Sequence, residues 1–264
     1  MMPMEQKSLK EEDVNVKGWE SIAEKWHKVK WPRRPAWKGE FEKLAPLFDS
    51  CRGNEVLILG ATPEFRAWLG SRGARITLYE KSAASLEAMN NILKGSFGFF
   101  PKNEKLISAD WEDEIKGIGK FSLIMGDIVL GYMQTMERML AFLGKMKGLL
   151  AEDGKFVLRD FVYIPYVANS YGRMPVDLRR WAYIMTPGLA VQDGVFDEDM
   201  LAYNLGKMND REALATCASP GRKRLMPDFK QLGDAFERAG LEQDIKIAPS
   251  TEWPRPALFV LSKN

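Results

Sequence analysis

Four short, largely apolar runs, each separated from the next by a stretch with helix signals or a loop, limit this chain to few folds. They are Glu55–Leu59, Arg75–Tyr79, Lys105–Ser108 and Phe121–Met125. Runs of this length and character are strands buried on both faces of a parallel sheet. After the first, Thr62 stands at a helix cap with Pro63 at the first helical position, and Gly70 and Gly73 close the turn behind it. Ser82 opens a second helix that places Leu86, Met89 and Leu93 at helical spacing and stops at Gly95. Met136, Met139, Leu140, Leu143 and Met146 share one side of a third helix, where methionine fills core volume. Gly154 then opens a fifth strand, Lys155–Phe161. Asp228–Ala239 is an amphipathic helix with Phe229, Leu232 and Phe236 inward and Gly240 behind it, and Ala257–Ser262 is a closing strand. Alternation at this spacing predicts an α/β fold: a Rossmann-like, mostly parallel sheet with helices on both faces.

The alternation stops between Val162 and Met226. That stretch carries many aromatic residues and arginines and is too long for an ordinary connection. It is predicted to be an inserted lid with helices of its own, over the carboxyl ends of the strands. Residues 1 to about 15 are expected to be loosely attached, and 16–50 to be helical in pieces. Trp31-Pro-Arg-Arg-Pro35 interrupts them, because its prolines force an extended or turning path. The expected organisation is therefore a helical cover over 1–50, a core over 51–162, a lid and substrate insertion over 163–226, and a final helix with closing strands over 227–264.

Composition removes several function classes. The net charge of +2 over 264 residues gives no general attraction to nucleic acid. The one basic cluster, Gly221-Arg-Lys-Arg224, reads as a solvated loop. No apolar run approaches the roughly 20 residues that span a bilayer. Met1–Asp13 has no apolar centre of the kind a secretory signal needs. Cys51 and Cys217 stand alone and there is one histidine, so no metal site of the Cys/His type is expected. These features predict a cytoplasmic protein, monomer or homodimer, with free thiols and no membrane or nucleic-acid partner.

Ligands of open α/β sheets bind beyond the carboxyl ends of the strands. Gly60 there lets a ligand approach the backbone, and the helix that follows offers N–H groups at Thr62, Glu64 and Phe65. A pyrophosphate of NAD needs G-x-G-x-x-G at this turn. Gly60-Ala-Thr-Pro-Glu-Phe65 keeps the first glycine only, and Glu64 repels phosphate. A sulfonium ligand without phosphates, S-adenosyl-L-methionine, tolerates the turn. Glu80, at the end of the second strand, can accept hydrogen bonds from both ribose hydroxyls. Asp110 can accept from the adenine N6 amine, the backbone N–H beside it can donate to N1, and Trp111 can cover the ring. Gly126-Asp127 would line the methionine end, where an ammonium favours a carboxylate. An NAD-type oxidoreductase is thus disfavoured by the missing glycines and by Asp110-Trp111.

On these residues the chain resembles the class I SAM-dependent methyltransferases, from about Trp26 to Phe161 and more weakly to the end. Leu57-Ile-Leu-Gly-Ala-Thr-Pro-Glu64 is similar to the family's first motif, and Tyr79-Glu80-Lys-Ser82 to its strand-two acid with a following serine. Ser108-Ala-Asp-Trp111 is similar to the adenine motif, with alanine for glycine. Leu123-Ile-Met-Gly-Asp127 resembles the fourth motif. Leu149–Asp160 resembles a later segment, with Glu152 and Asp153 for its proline and glycine. Trp31-Pro-Arg-Arg-Pro35 is similar to an element of a bacterial subgroup. The resemblance implies a seven-stranded sheet whose last strand is antiparallel, and in-line methyl transfer with S-adenosylhomocysteine as product. It implies cofactor contacts at Gly60, Ala61, Thr62, Pro63, Glu80, Lys81, Ser82, Asp110, Trp111, Gly126 and Asp127.

Arg33 and Arg34 are candidates for the cofactor carboxylate, with Arg34 preferred. Asp127 and His27 are the candidate catalytic residues, His27 because it alone titrates near neutrality. The acceptor is expected against Asp160, Tyr163, Tyr166 and Arg173, with Tyr171, Arg179, Arg180, Trp181 and Tyr183 in the same stretch. Aromatic residues with arginines suit a planar or anionic small molecule. The competing reading is a non-catalytic SAM- or metabolite-binding protein, or a partner-binding one, on the same fold.

Overall fold

Strands form where the apolar runs stand. The computed structural model describes residues 34–98, 104–113, 117–162, 191–192, 195–197, 223–247 and 256–264. Strands β1 (Glu55–Leu59) and β2 (Arg75–Tyr79) keep their predicted limits. β3 (Lys105–Ile107) is one residue shorter than expected, and β4 (Phe121–Asp127) extends to the acid expected after it. Two compact units are present, Met1–Asp127 and Ile128–Asn264.

In the first unit β2 and β4 flank β1, and β3 flanks β2, all as parallel neighbours. Val56, Leu57 and Ile58 are fully buried, as a strand covered on both faces requires. Helix α1 (Ala45–Asp49) follows a π turn (Trp37–Phe41) and a 3-10 turn (Glu42–Leu44). Trp37, Phe41 and Phe48 from this segment meet Phe65 and Trp68 of helix α2 (Pro63–Gly70), mostly edge to face, with ring centroids 5.2 to 6.4 Å apart. Helix α3 (Ala83–Ile92) starts at Ser82, whose Oγ accepts the Ser85 N–H at 3.1 Å. Its buried side is Ser85, Ala88, Met89 and Ile92. Helical backbone continues past Gly95 as a π segment (Leu93–Phe97) and stops at Gly98, whose φ of +60° ends it.

In the second unit Thr135 caps helix α4 (Met136–Leu149), which buries Met139, Phe142, Leu143 and Met146. Met136 and Leu140 are only half-buried, and Phe142 takes their expected place in the core. β5 (Leu150–Asp160) begins at once, so Gly154 lies inside the strand instead of opening it. Within 163–226 the described residues include only short strands, and the helices expected there fall outside the described residues. β6 (Val191–Gln192), β7 (Val195–Asp197) and β8 (Lys223–Leu225) make a three-stranded antiparallel sheet. Helix α5 (Phe229–Arg238) starts with a reciprocal capping box between Asp228 and Gln231. Leu232 and Phe236 are buried and Phe229 half-buried. β9 (Leu241–Ile247) was not foreseen, because an edge strand with five exposed residues shows no apolar pattern. β10 (Ala257–Lys263) is antiparallel to both β5 and β9. Together seven strands form one sheet in the order β3-β2-β1-β4-β5-β10-β9, with its last strand antiparallel as the resemblance implied.

Candidate functional site

Register builds the site. Leu59 pairs with Tyr79 on one side and Gly126 on the other, and Tyr79 pairs with Ile107. The next residue of each strand is therefore Gly60, Glu80, Asp127 and Ser108, in one row across the carboxyl edge. Adjacent members are separated by roughly 4.8 Å. The predicted Gly60 and two of the three predicted acids, Glu80 and Asp127, meet in this row, although Gly60 and Asp127 are far apart in the chain.

Gly60 has φ +87°, a left-handed conformation that glycine adopts without strain. A Cβ there would stand 3.6 Å from Cζ2 of Trp111 and 3.8 Å from Oε2 of Glu80. Indole and carboxylate thus face one turn. The Tyr79 carbonyl accepts both the Gly60 N–H at 2.9 Å and the Trp111 indole N–H at 2.6 Å. Ala61 is buried against Met89 and Ile92, so it serves the core. Thr62 occupies the helix cap, but its side chain makes no capping bond. Pro63 is buried at the first helical position. Gly126 is buried and Asp127 half-buried at the end of β4.

Glu80 is half-buried. Its Oε1 accepts the Ser82 N–H at 2.7 Å, and its Oε2 lies 3.5 Å from the Ser85 hydroxyl. Burial pushes its carboxyl above the ordinary value of 4.5. The Ser82 amide, the Ser85 hydroxyl and the Lys81 ammonium pull in the opposite direction without offsetting burial. A carboxylate accepts at about four positions, and these two contacts leave acceptor capacity on Glu80.

Asp110 is differently employed. Its Oδ2 pairs with Lys81 Nζ at 2.5 Å and its Oδ1 accepts the Glu112 N–H at 3.1 Å. Each oxygen expected near an adenine amine thus holds one protein donor, of the about four acceptor positions a carboxylate has. Lys81, also expected at the cofactor, is the partner in that exposed pair. Ser82 is the cap of α3.

Arg34 does not present a free guanidinium for a cofactor carboxylate: its Nε donates to Oε1 of Glu64 at 2.7 Å. Glu64 is buried at 2% exposure in the first turn of α2. The pair neutralises the charge expected to repel phosphate. Sequence reasoning missed this bond and the next. Arg66, 1% exposed, donates twice to Glu104, at 2.8 and 2.5 Å, and once to Asn90 at 2.8 Å. Partners 24 to 38 positions apart leave no local signal in a sequence.

In the second unit Asp160 is 3% exposed, and its oxygens accept the N–H groups of Leu130 at 2.7 Å and Phe161 at 2.9 Å. It was expected at the acceptor. The structure places it as a clamp on the turn after β4, with Ile128 N–H donating to the Arg159 carbonyl at 2.7 Å. Ile128 has φ +56°, a strained conformation for a β-branched residue. His27, Arg33, Tyr163, Tyr166, Tyr171, Arg173, Arg179, Arg180, Trp181 and Tyr183 lie outside the described residues.

No family model matches the chain, and no curated protein matches it. Solved structures do. A protein from Rhodobacter sphaeroides provisionally described as a zinc-dependent alcohol dehydrogenase is 15% identical, with TM-score 0.62, over 94% of this chain and 98% of its own. The CcbJ methyltransferase from Streptomyces caelestis is 14% identical, with TM-score 0.57, over 92% and 96%. A S-adenosylmethionine-dependent methyltransferase from Clostridium acetobutylicum is 12% identical, with TM-score 0.56, over 92% and 97%. At such identities the likeness establishes the fold: a Rossmann-like, seven-stranded mixed sheet shared with SAM-dependent methyltransferases. Among the described residues no three His, Cys, Asp or Glu side chains are grouped to hold a metal.

Proposed function

We propose that this protein is a S-adenosyl-L-methionine-dependent methyltransferase acting on a small molecule in the cytoplasm. The observation that carries the reading is the left-handed turn at Gly60 facing the Glu80 carboxylate, which keeps acceptor capacity beyond its contacts with Ser82 and Ser85. An acid at the end of β2 with spare acceptors suits the paired hydroxyls of a ribose. The turn, which has only the first glycine of a G-x-G-x-x-G pattern, suits a ligand without a pyrophosphate.

The bound cofactor would supply an electrophilic methyl group on a sulfonium. The chain's own residues bind and orient. Glu80 holds the ribose, the 110–111 peptide holds the purine edge, and Asp127 stands in the same row toward the amino-acid end. Transfer of this kind depends chiefly on alignment and proximity of the reacting atoms. A general base is required only where the acceptor must lose a proton, and Asp127 is the described candidate for it.

Thermal unfolding with S-adenosylmethionine, S-adenosylhomocysteine, NAD and NADP in parallel tests the reading. A ligand that binds only the folded state raises the midpoint. A rise with the first two alone is the expected result. A rise with NAD alone would replace the reading with an oxidoreductase, and no rise with any would replace it with a non-catalytic, partner-binding role.

A further inference from the structure

Of the two edge strands of the large sheet, β3 is three residues long and β9 is seven. Length makes β9 the edge that another chain could extend. Among the described residues β9 pairs with β10 alone, and residues 242–246 are exposed. Ile245 is 41% exposed, an apolar side chain at an open edge. The Asn264 N–H donates to the Gly240 carbonyl at 3.1 Å, and Ser262 stands opposite Glu242 two residues on. By the alternation of an antiparallel ladder, Leu241 and Gln243 direct their N–H and C=O groups away from β10.

One residue spoils this edge for pairing. Val260 of β10 stands opposite Ile245 and Leu261 opposite Gln243, so Asp244 has no partner and forms a β-bulge. Its carboxylate is turned back onto the sheet. Oδ1 accepts the Ser262 hydroxyl of β10 at 2.9 Å, and Oδ2 pairs with Lys155 Nζ of β5 at 2.6 Å. β10 lies between β9 and β5, so this one side chain ties the edge strand to both strands inside it. Lys246 is held as well, its ammonium 3.8 Å from the centroid of the Phe229 ring. A bulge bends and twists its strand and breaks the even row of backbone groups that an incoming strand must meet. Charges turned inward at an edge add a desolvation cost to any strand laid against them.

We propose that Asp244 is a built-in block on β9, its bulge and inward carboxylate keeping the edge from pairing with a second copy of this chain. A second copy is the partner at stake because it presents the same seven-residue strand. This role stands apart from the ligand reading and holds whichever cofactor binds.

Deletion of Asp244 is the direct test. The residues on either side already stand opposite adjacent residues of β10, so they keep their partners. Sedimentation equilibrium at rising concentration compares wild type, the deletion variant, and each of them carrying Gln243→Pro, with folding checked by circular dichroism. The deletion variant should rise to about twice the wild-type mass or more. Gln243→Pro removes an outward N–H and should return the deletion variant to wild-type mass. A deletion variant that keeps the wild-type mass at every concentration overturns the proposal. Association that survives Gln243→Pro also overturns it, because it runs through another surface. So does a wild type whose own association is lost on Gln243→Pro, since its edge is already open. If the deletion variant does not fold, Asp244→Val, which removes the carboxylate and keeps the chain length, is read by the same criteria.

Discussion

Glu80→Gln should change ligand affinity and stability in opposite directions. The carboxylate has about four acceptor positions. The Ser82 amide uses one at 2.7 Å, and the Ser85 hydroxyl sits at 3.5 Å, the outer limit of a hydrogen bond. The Lys81 backbone N–H also contributes, and acceptor capacity remains for a ligand hydroxyl. Glutamine has one oxygen, and keeping it on the Ser82 amide turns an NH2 toward the ligand. At least one charge-assisted bond is then lost, worth about 1.5–3 kcal/mol, so S-adenosylhomocysteine should bind about 10- to 150-fold more weakly in calorimetry at pH 7. The ligand-free protein should become more stable. Burial raises the folded carboxyl above its ordinary 4.5, so folding takes up a proton between 4.5 and the folded value. Stability therefore falls as pH rises through that window, and the full cost is present above it. Glutamine, which does not ionise, escapes that cost. The midpoint of Glu80→Gln should exceed wild type at pH 7, and the difference should shrink toward pH 4.5. Wild-type affinity for the ligand would refute the ribose assignment. A midpoint below wild type by the same amount at both pH values would refute the desolvation argument.

Two further predictions concern bonds that hold the site's frame. Asp160→Ala strands the amides of Leu130 and Phe161 and should cost about 1–3 kcal/mol in urea unfolding, with Asp160→Asn in between; an alanine variant as stable as wild type would remove the clamp. Arg66→Met leaves Glu104 without its bidentate partner and should cost about 3–5 kcal/mol, while Arg66→Met with Glu104→Leu should regain most of it; equal loss in the single and double variants would contradict the buried-pair account.

Glu55–Leu59, the Ser82 cap and the amphipathic helix from Asp228 could be read from the chain because their causes are local: apolar runs, a capping hydroxyl and helical spacing of apolar residues. Gly60, Glu80 and Asp127 could be located because strand ends fix where ligands of such sheets sit. The helix end at Gly98 and the edge strand β9 could not. A glycine does not stop a helix unless its backbone turns left-handed, and an exposed edge strand has no apolar period.

What these side chains do was decided only by the fold. Asp110 and Asp160 look alike in sequence, an acid at or after a strand end. One holds Lys81 at the surface, and the other holds two buried amides. Arg34 reads as a candidate for a cofactor carboxylate and Arg66 carries no local signal, yet each reaches an acid at least 30 positions away, and Arg66 is almost completely buried. Periodicity and capping act over a few residues and are written in the order of the chain. A carboxylate's partners depend on which amides and cations the finished fold brings within 3 Å of it. The sequence alone therefore determined the sheet and the row of residues at its edge. Tertiary structure decided which polar groups in that row are already engaged and that Tyr79 gathers the turn, the indole and the loop.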